Sequence, residues 1–205
     1  MRFLAGLLMA ASLAGCEATV TREASPGFRP MSPEGQKDVS SGTPVERFFP
    51  LRDGEVYTYD VGPTVLMVRV HRTDALHGET QLPTGQLRYT YGPEGLEVQS
   101  ATSRGFVLKT PLAAGTTWRN PNGATVRIAS LNAEVDTPAG HFSGCLEVSE
   151  ERGGDRPSAT LSTFCPDVGL VKLDTRGEGS AILKTHGQPM LMKPDGLDRS
   201  GGPAR

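Results

Sequence analysis

The sequence predicts an all-β protein: an antiparallel meander of about 9–11 strands forming a curled sheet or half-open barrel. Three observations predict it. Apolar and polar residues alternate with period two through most of the chain. Gly, Pro and Asp clusters interrupt that alternation every eight to twelve residues or so. Outside the first fifteen residues, no window carries an apolar stripe of helical period with caps at its ends. A meander of this size must curl or close to protect its edges and bury one face.

The strands are justified in chain order. Thr64 to Arg72 places Leu66, Val68 and Val70 on one face; the other begins with Val65 and Met67 and turns polar at Arg69 and His71. Gln86 to Tyr91 alternates cleanly and turns at Gly92-Pro93-Glu94-Gly95 into Leu96-Glu97-Val98. Phe106 to Lys109 follows, then a long run from Thr125 to Asp136 that ends at Thr137-Pro138-Ala139-Gly140. Phe142, Leu146 and Val148 share a face opposite His141, Ser143, Glu147 and Ser149. Val168 to Leu173 and Ser180 to Lys184 complete the series.

Composition sets limits. Gly (25) and Pro (16) are about a fifth of the 205 residues, below the ~25–30% of a low-complexity chain. Lys and Arg number 21 against 23 Asp and Glu, a net charge of −2, so no global basic field exists to hold nucleic acid. No stretch after the N-terminus approaches the ~18 apolar residues of a membrane-spanning helix.

The N-terminus reads as an address. Arg2 precedes a short apolar core, Phe3 to Ala11, and the segment ends Leu13-Ala14-Gly15-Cys16. This resembles the lipobox of bacterial lipoproteins. The resemblance implies a signal peptide over residues 1–15, cleavage before Cys16 and diacylglycerol on its thiol. Two or more acyl chains, at ~0.8 kcal/mol per buried methylene, give a stable membrane anchor. Glu17, rather than Asp, at the next position implies by the same resemblance delivery to the outer membrane. Residues 16–46 then form the lipidated Cys and a flexible tether, rich in Ser, Pro, Gly and Glu, with a typical span of about 30 Å. The β domain spans 47–186, and 187–205 reads as a flexible tail.

With Cys16 lipidated, Cys145 and Cys165 remain, in an oxidising compartment. The turn signal Glu151 to Pro157 lies around their midpoint. A hairpin closing there sets Cys145 opposite Cys165, Leu146 opposite Phe164 and Val148 opposite Ser162, near enough for a disulfide. Unpaired buried thiols and a redox or metal pair are the alternatives; no C-x-x-C and no Cys/His grouping of zinc type is present.

One internal echo stands out. Pro50-Leu51-Arg52-Asp53-Gly54-Glu55-Val56-Tyr57 and Pro111-Leu112-Ala113-Ala114-Gly115-Thr116-Thr117-Trp118 share P-L-x-x-G-x-x-aromatic. Pro restricts the loop, Gly supplies a positive φ, and the aromatic starts a strand in the core; aromatic-lipped ligand sites are the other reading. Together with Pro138-Ala139-Gly140-His141-Phe142 and Val168-Gly169-Leu170-Val171, these elements resemble a group of uncharacterised bacterial lipoproteins. Over residues 47–185 or so, the resemblance implies export and a β domain, and no activity.

Reaction chemistry is sparsely signalled. His71, His77, His141 and His186 sit in unrelated contexts, with no H-E-x-x-H or H-x-H. No G-x-S-x-G elbow or phosphate-binding glycine loop appears. Glu147, Glu150 and Glu151 read as a charged hairpin rim rather than an acid–base pair. Neither a catalytic residue, a metal site nor a cofactor is expected. The sequence thus points to a lipid-anchored outer-membrane lipoprotein whose non-catalytic β domain binds or scaffolds an envelope protein or other component. A carrier of a hydrophobic ligand inside a curled sheet is the first alternative, and a hydrolase with dispersed residues the second.

Overall fold

The computed structural model describes residues 40–154 and 157–188. Signal peptide, Cys16, most of the tether and the tail beyond 188 lie outside them. A short 3-10 helix, η1 (Pro44–Arg47), precedes twelve strands. These are β1 (Val56–Val61), β2 (Thr64–Arg72), β3 (His77–Leu82), β4 (Gly85–Gly92), β5 (Gly95–Gln99), β6 (Arg104–Lys109), β7 (Thr117–Arg119), β8 (Thr125–Thr137), β9 (Gly140–Arg152), β10 (Ser158–Cys165), β11 (Gly169–Thr175) and β12 (Gly179–Gly187).

All twelve belong to one sheet of order β6-β5-β4-β3-β2-β1-β12-β11-β10-β9-β8-β7. Every pairing among the described strands is antiparallel, and β12 closes on β1, so the meander forms a nearly closed barrel with a seam between β6 and β7. The predicted class holds, and the count exceeds the expected range. Thr117–Arg119 is too short to show a period, and His77–Leu82 is mostly polar.

The barrel has two six-strand halves, and the echo launches each. Tyr57 is the second residue of β1 and Trp118 the second of β7; both are buried. The turns match bond for bond. Gly54 N–H donates to the Val70 carbonyl and Gly115 N–H to that of Ile128; Val70 and Ile128 donate back to Glu55 and Thr116. The two glycines sit at φ +76° and +89°, where a side chain would be strained. The core-planting reading of the echo is the one the structure supports.

The inward face follows the alternation: Tyr57 and Tyr59 on β1, Leu66, Val68 and Val70 on β2, and Tyr89 and Tyr91 on β4, continued through Leu146 and Val148 on β9. β9 and β10 pair in the expected register, Leu146 with Phe164 and Val148 with Ser162. Cys145 and Cys165 continue that register as a disulfide, both fully buried. Closing this ~20-residue loop contributes about 3 kcal/mol in the chain-entropy view.

At the seam no backbone ladder joins the edges. The Asn120 side chain substitutes for a peptide: its Oδ1 accepts from Phe106 N–H at 2.9 Å, and its Nδ2 donates to the Phe106 carbonyl at 3.2 Å. Trp118 Nε1 donates to that carbonyl at 3.4 Å. Gly105 permits the approach, because a Cβ there would come within 2.9 Å of Asn120 Cγ. Asn120→Ala leaves the Phe106 N–H without a partner and its carbonyl with Trp118 alone. It is expected to destabilise the protein by about 1–3 kcal/mol and to accelerate amide exchange at Phe106. Unchanged exchange there would show that the seam is held by other contacts.

Candidate functional site

Residues 40–51 enter the barrel as a plug. The stretch read as the end of the tether (40–46) therefore belongs to the folded body, because Val45 and, just beyond, Leu51 are fully buried. Phe49 N–H donates to Val45 O, Tyr91 Oη donates to Phe49 O, and Asp167 N–H donates to Arg47 O at 2.6 Å. The Phe49 ring lies 5.0 Å from that of Tyr89 and 6.0 Å from that of Phe164. Tyr91, Arg72 and Asp167 sit where β4, β2 and the β10–β11 turn reach one end of the barrel. The plug floors that end; the turns at 61–64, 82–85 and 99–104 form the opposite rim.

An ionic latch fixes the plug. Arg72 Nη1 donates to Glu46 Oε1 at 2.6 Å, with side chains only 10% and 15% exposed. The guanidinium also donates to the carbonyls of Asp74 and Ala75 and lies 5.4 Å from the centre of the Tyr91 ring. Ser40 and Ser41 hydroxyls and Ser41 N–H donate to Glu46 Oε2 at 2.7–2.8 Å. Burial pushes the Glu46 carboxyl upward, but the hydrogen bonds from Arg72, Ser40 and Ser41 outweigh it and hold the pKa below the usual carboxylate range.

Above the plug lies an apolar chamber of about 200 Å³. Phe49, Pro50 and Leu51 form its floor; Tyr57, Tyr59, Val68 and Tyr89 its walls; Leu66, Leu82, Leu87 and Ala181 line it toward the rim. Its polar atoms are paired. Tyr57 Oη donates to Glu55 Oε2 at 2.8 Å, Tyr59 Oη to the Leu170 carbonyl at 3.0 Å, and Thr80 Oγ1 to Tyr89 Oη at 3.5 Å. Burial raises the pKa of all three tyrosines, that of Tyr89 to about 12, so the wall stays neutral at ordinary pH. A second chamber of about 240 Å³ lies under the seam at the rim and shares Leu87 with the first.

Sequence-selected residues fall as follows. Cys16 is outside the described residues, and Cys145–Cys165 is a structural disulfide. Each histidine pairs through Nδ1 with a carboxylate: His71 with Asp53, His77 with Asp74, His141 with Asp136 and His186 with Glu55, at 2.8–3.2 Å. Among the described residues, no hydrogen bond joins a serine to a histidine. Sequence reading missed the plug, Arg72 and Glu46. The run Pro44-Val45-Glu46-Arg47-Phe48-Phe49-Pro50-Leu51 held the available signal, a compact apolar cluster ending a polar stretch.

No family model and no curated protein matches the chain. Two solved structures are similar to it. One, from Bacteroides fragilis NCTC 9343, is described as exported with a YmcC-like fold; it is 16% identical, with 69% of this chain and 99% of that one covered, at a TM-score of 0.46. The other, described as a lipoprotein from Parabacteroides distasonis ATCC 8503, is 15% identical, with 68% and 98% covered, at 0.43.

The latch makes a signed pH prediction. A carboxylate whose pKa is depressed on folding stabilises the fold above its unfolded value of 4.5, and that stability is lost as pH falls through the folded value. Glu46→Gln is expected to cost about 1.5–3 kcal/mol at pH 7. Denaturant titrations of wild type and variant should converge as the pH falls through the depressed folded value of Glu46. A gap that persists in acid would mean that Glu46 acts through packing alone.

Proposed function

We propose that the protein is a lipid-anchored, non-catalytic envelope protein whose barrel binds an apolar ligand. The chamber above the plug carries this reading: about 200 Å³, walled by aliphatic and aromatic side chains whose few hydroxyls are already engaged. Such a lining recognises surface area and shape rather than hydrogen-bonding groups. Of the two non-catalytic roles weighed from sequence, ligand holding has a built interior to support it. A scaffolding role has no comparable feature among the described residues.

The volume bounds the strength. An apolar cavity of ~150 Å³ admits benzene. At ~24 cal/mol per Å³, filling this chamber is worth on the order of 5 kcal/mol, a Kd near 10⁻⁴ M for a small guest. Longer apolar molecules that also cover the rim leucines bind more tightly.

The lipobox Leu13-Ala14-Gly15-Cys16 supports the anchor, and Glu17 at the next position supports delivery to the outer membrane. Membrane attachment through Cys16 also brings the chamber to the compartment where apolar molecules concentrate.

Two measurements test the reading. A naphthalene-type fluorophore should bind saturably with one site per chain, and Ala181→Trp, which fills the chamber from the rim, should weaken it about tenfold or more. Non-saturable uptake, or the same affinity in Ala181→Trp, would overturn the ligand role. Separately, radiolabelled palmitate should enter the wild type and not Cys16→Ser; equal labelling would remove the anchor.

A further inference from the structure

The second chamber differs from the first in one respect that points to a ligand. It lies at the rim beneath the seam, with Val98, Phe106, Val126 and Val148 as its apolar lining. Most polar side chains around it are committed elsewhere. Arg104 holds Glu97 through two hydrogen bonds, at 2.6 and 3.2 Å. Asn120 completes the seam, Asn122 Oδ1 accepts from Ala124 N–H, and the Ser100 and Ser103 hydroxyls bond each other.

Glu150 is different. It stands on β9 between Val126 and Thr160, one inward step above Val148, and is half-buried. Among the described residues, its carboxylate makes no hydrogen bond or ion pair. Ser162, its neighbour in the lining, is likewise unengaged. Arg104, the other charged side chain of the lining, is paired with Glu97, so Glu150 leaves the chamber with an unbalanced negative charge. A cation entering the chamber is attracted to that charge, and an anion is repelled by it.

We infer that this chamber receives the ammonium head of a single-chain amphiphile, with Glu150 as counter-charge and Ser162 as a hydrogen-bond acceptor. Its chain passes over Leu87, the residue common to both chambers, into the apolar space above the plug. The chain's place rests on the apolar-ligand reading above; the head group's place rests on Glu150 alone. The seam leaves this half of the rim without a continuous strand ladder, so the polar end lies where the wall is thinnest.

The test uses dodecylamine, dodecanol and dodecanoate below their aggregation concentrations, titrated calorimetrically into the full chain. In the wild type the amine should bind about tenfold or more tightly than the alcohol, and the carboxylate should bind weakest. Glu150→Gln, with an unchanged thermal midpoint, should bring the amine to the alcohol's affinity and leave the alcohol unaffected. Leu87→Trp should weaken all three. Equal affinity for amine and alcohol in the wild type, or an amine preference that survives Glu150→Gln, overturns the head-group assignment. Saturable alcohol binding in that case still upholds the apolar chamber, whereas its absence overturns the apolar-ligand reading itself. An unaltered Leu87→Trp overturns the route of the chain.

Discussion

A ring of twelve strands is wider than its own side chains can fill. An interior of about eight strands closes neatly over inward residues, and each further strand adds volume faster than it adds side chains. Three features of this protein follow from that geometry. The segment at 40–51 is drawn in as a plug, because Val45, Phe49 and Leu51 supply apolar volume that the strands lack. Large residues face inward, Tyr57, Tyr59, Tyr89, Tyr91 and Trp118 among them. What remains unfilled is divided by Leu87 into two chambers.

Large polar side chains bring a second demand. Each buried hydroxyl or amide must find a partner or forfeit stability. Tyrosines meet it by donating to backbone carbonyls of the plug and of β11 and to Glu55. Asn120 turns the demand to use, since its amide does for Phe106 what an adjoining strand would do. A full ladder between β6 and β7 is replaced by the side chains of Asn120 and Trp118. The ring is thus continuous for packing and discontinuous for backbone pairing. Elsewhere, β2 runs past β3: pairing stops at Arg69 with Gln81, and Pro83, with no N–H to give, follows Leu82 in the turn.

Much of this architecture was legible. Period-two alternation located most strands because one face is buried and the other wet, the condition under which register is strongly specified. The arithmetic that set Cys145 against Cys165 worked because a Gly-rich turn midway leaves the hairpin a symmetric closure. The echo at Pro50 and Pro111 marked the start of each half. β3 escaped because its inward positions are Gly78, Thr80 and Leu82, of which only one is an apolar side chain. The plug escaped because its polar approach resembles a linker, and three or four apolar residues do not establish a period. The chambers had no local signature at all: excess volume is a property of strand number and closure, not of any segment. Glu150 read as a rim charge, which its sequence neighbours Glu147 and Glu151 share; only the pleat separates it from them and turns it inward.

The plug also ties the N-terminal side of the chain to the chamber. The residues that floor the apolar space follow directly on residues 40–46, which the Glu46–Arg72 latch fixes to the barrel. On the proposed ligand role, a guest in contact with Phe49 and Leu51 would bind only the plugged state, and so would stabilise it by RT ln(1 + [L]/Kd). By the same linkage, whatever loosens the latch lowers the affinity of the chamber, because the floor departs with it. Occupancy and plug stability are therefore one equilibrium seen from two sides. An ion pair of low exposure at the mouth of the plug is well placed to set both, since its carboxylate carries four hydrogen bonds that no single substitution elsewhere would remove together.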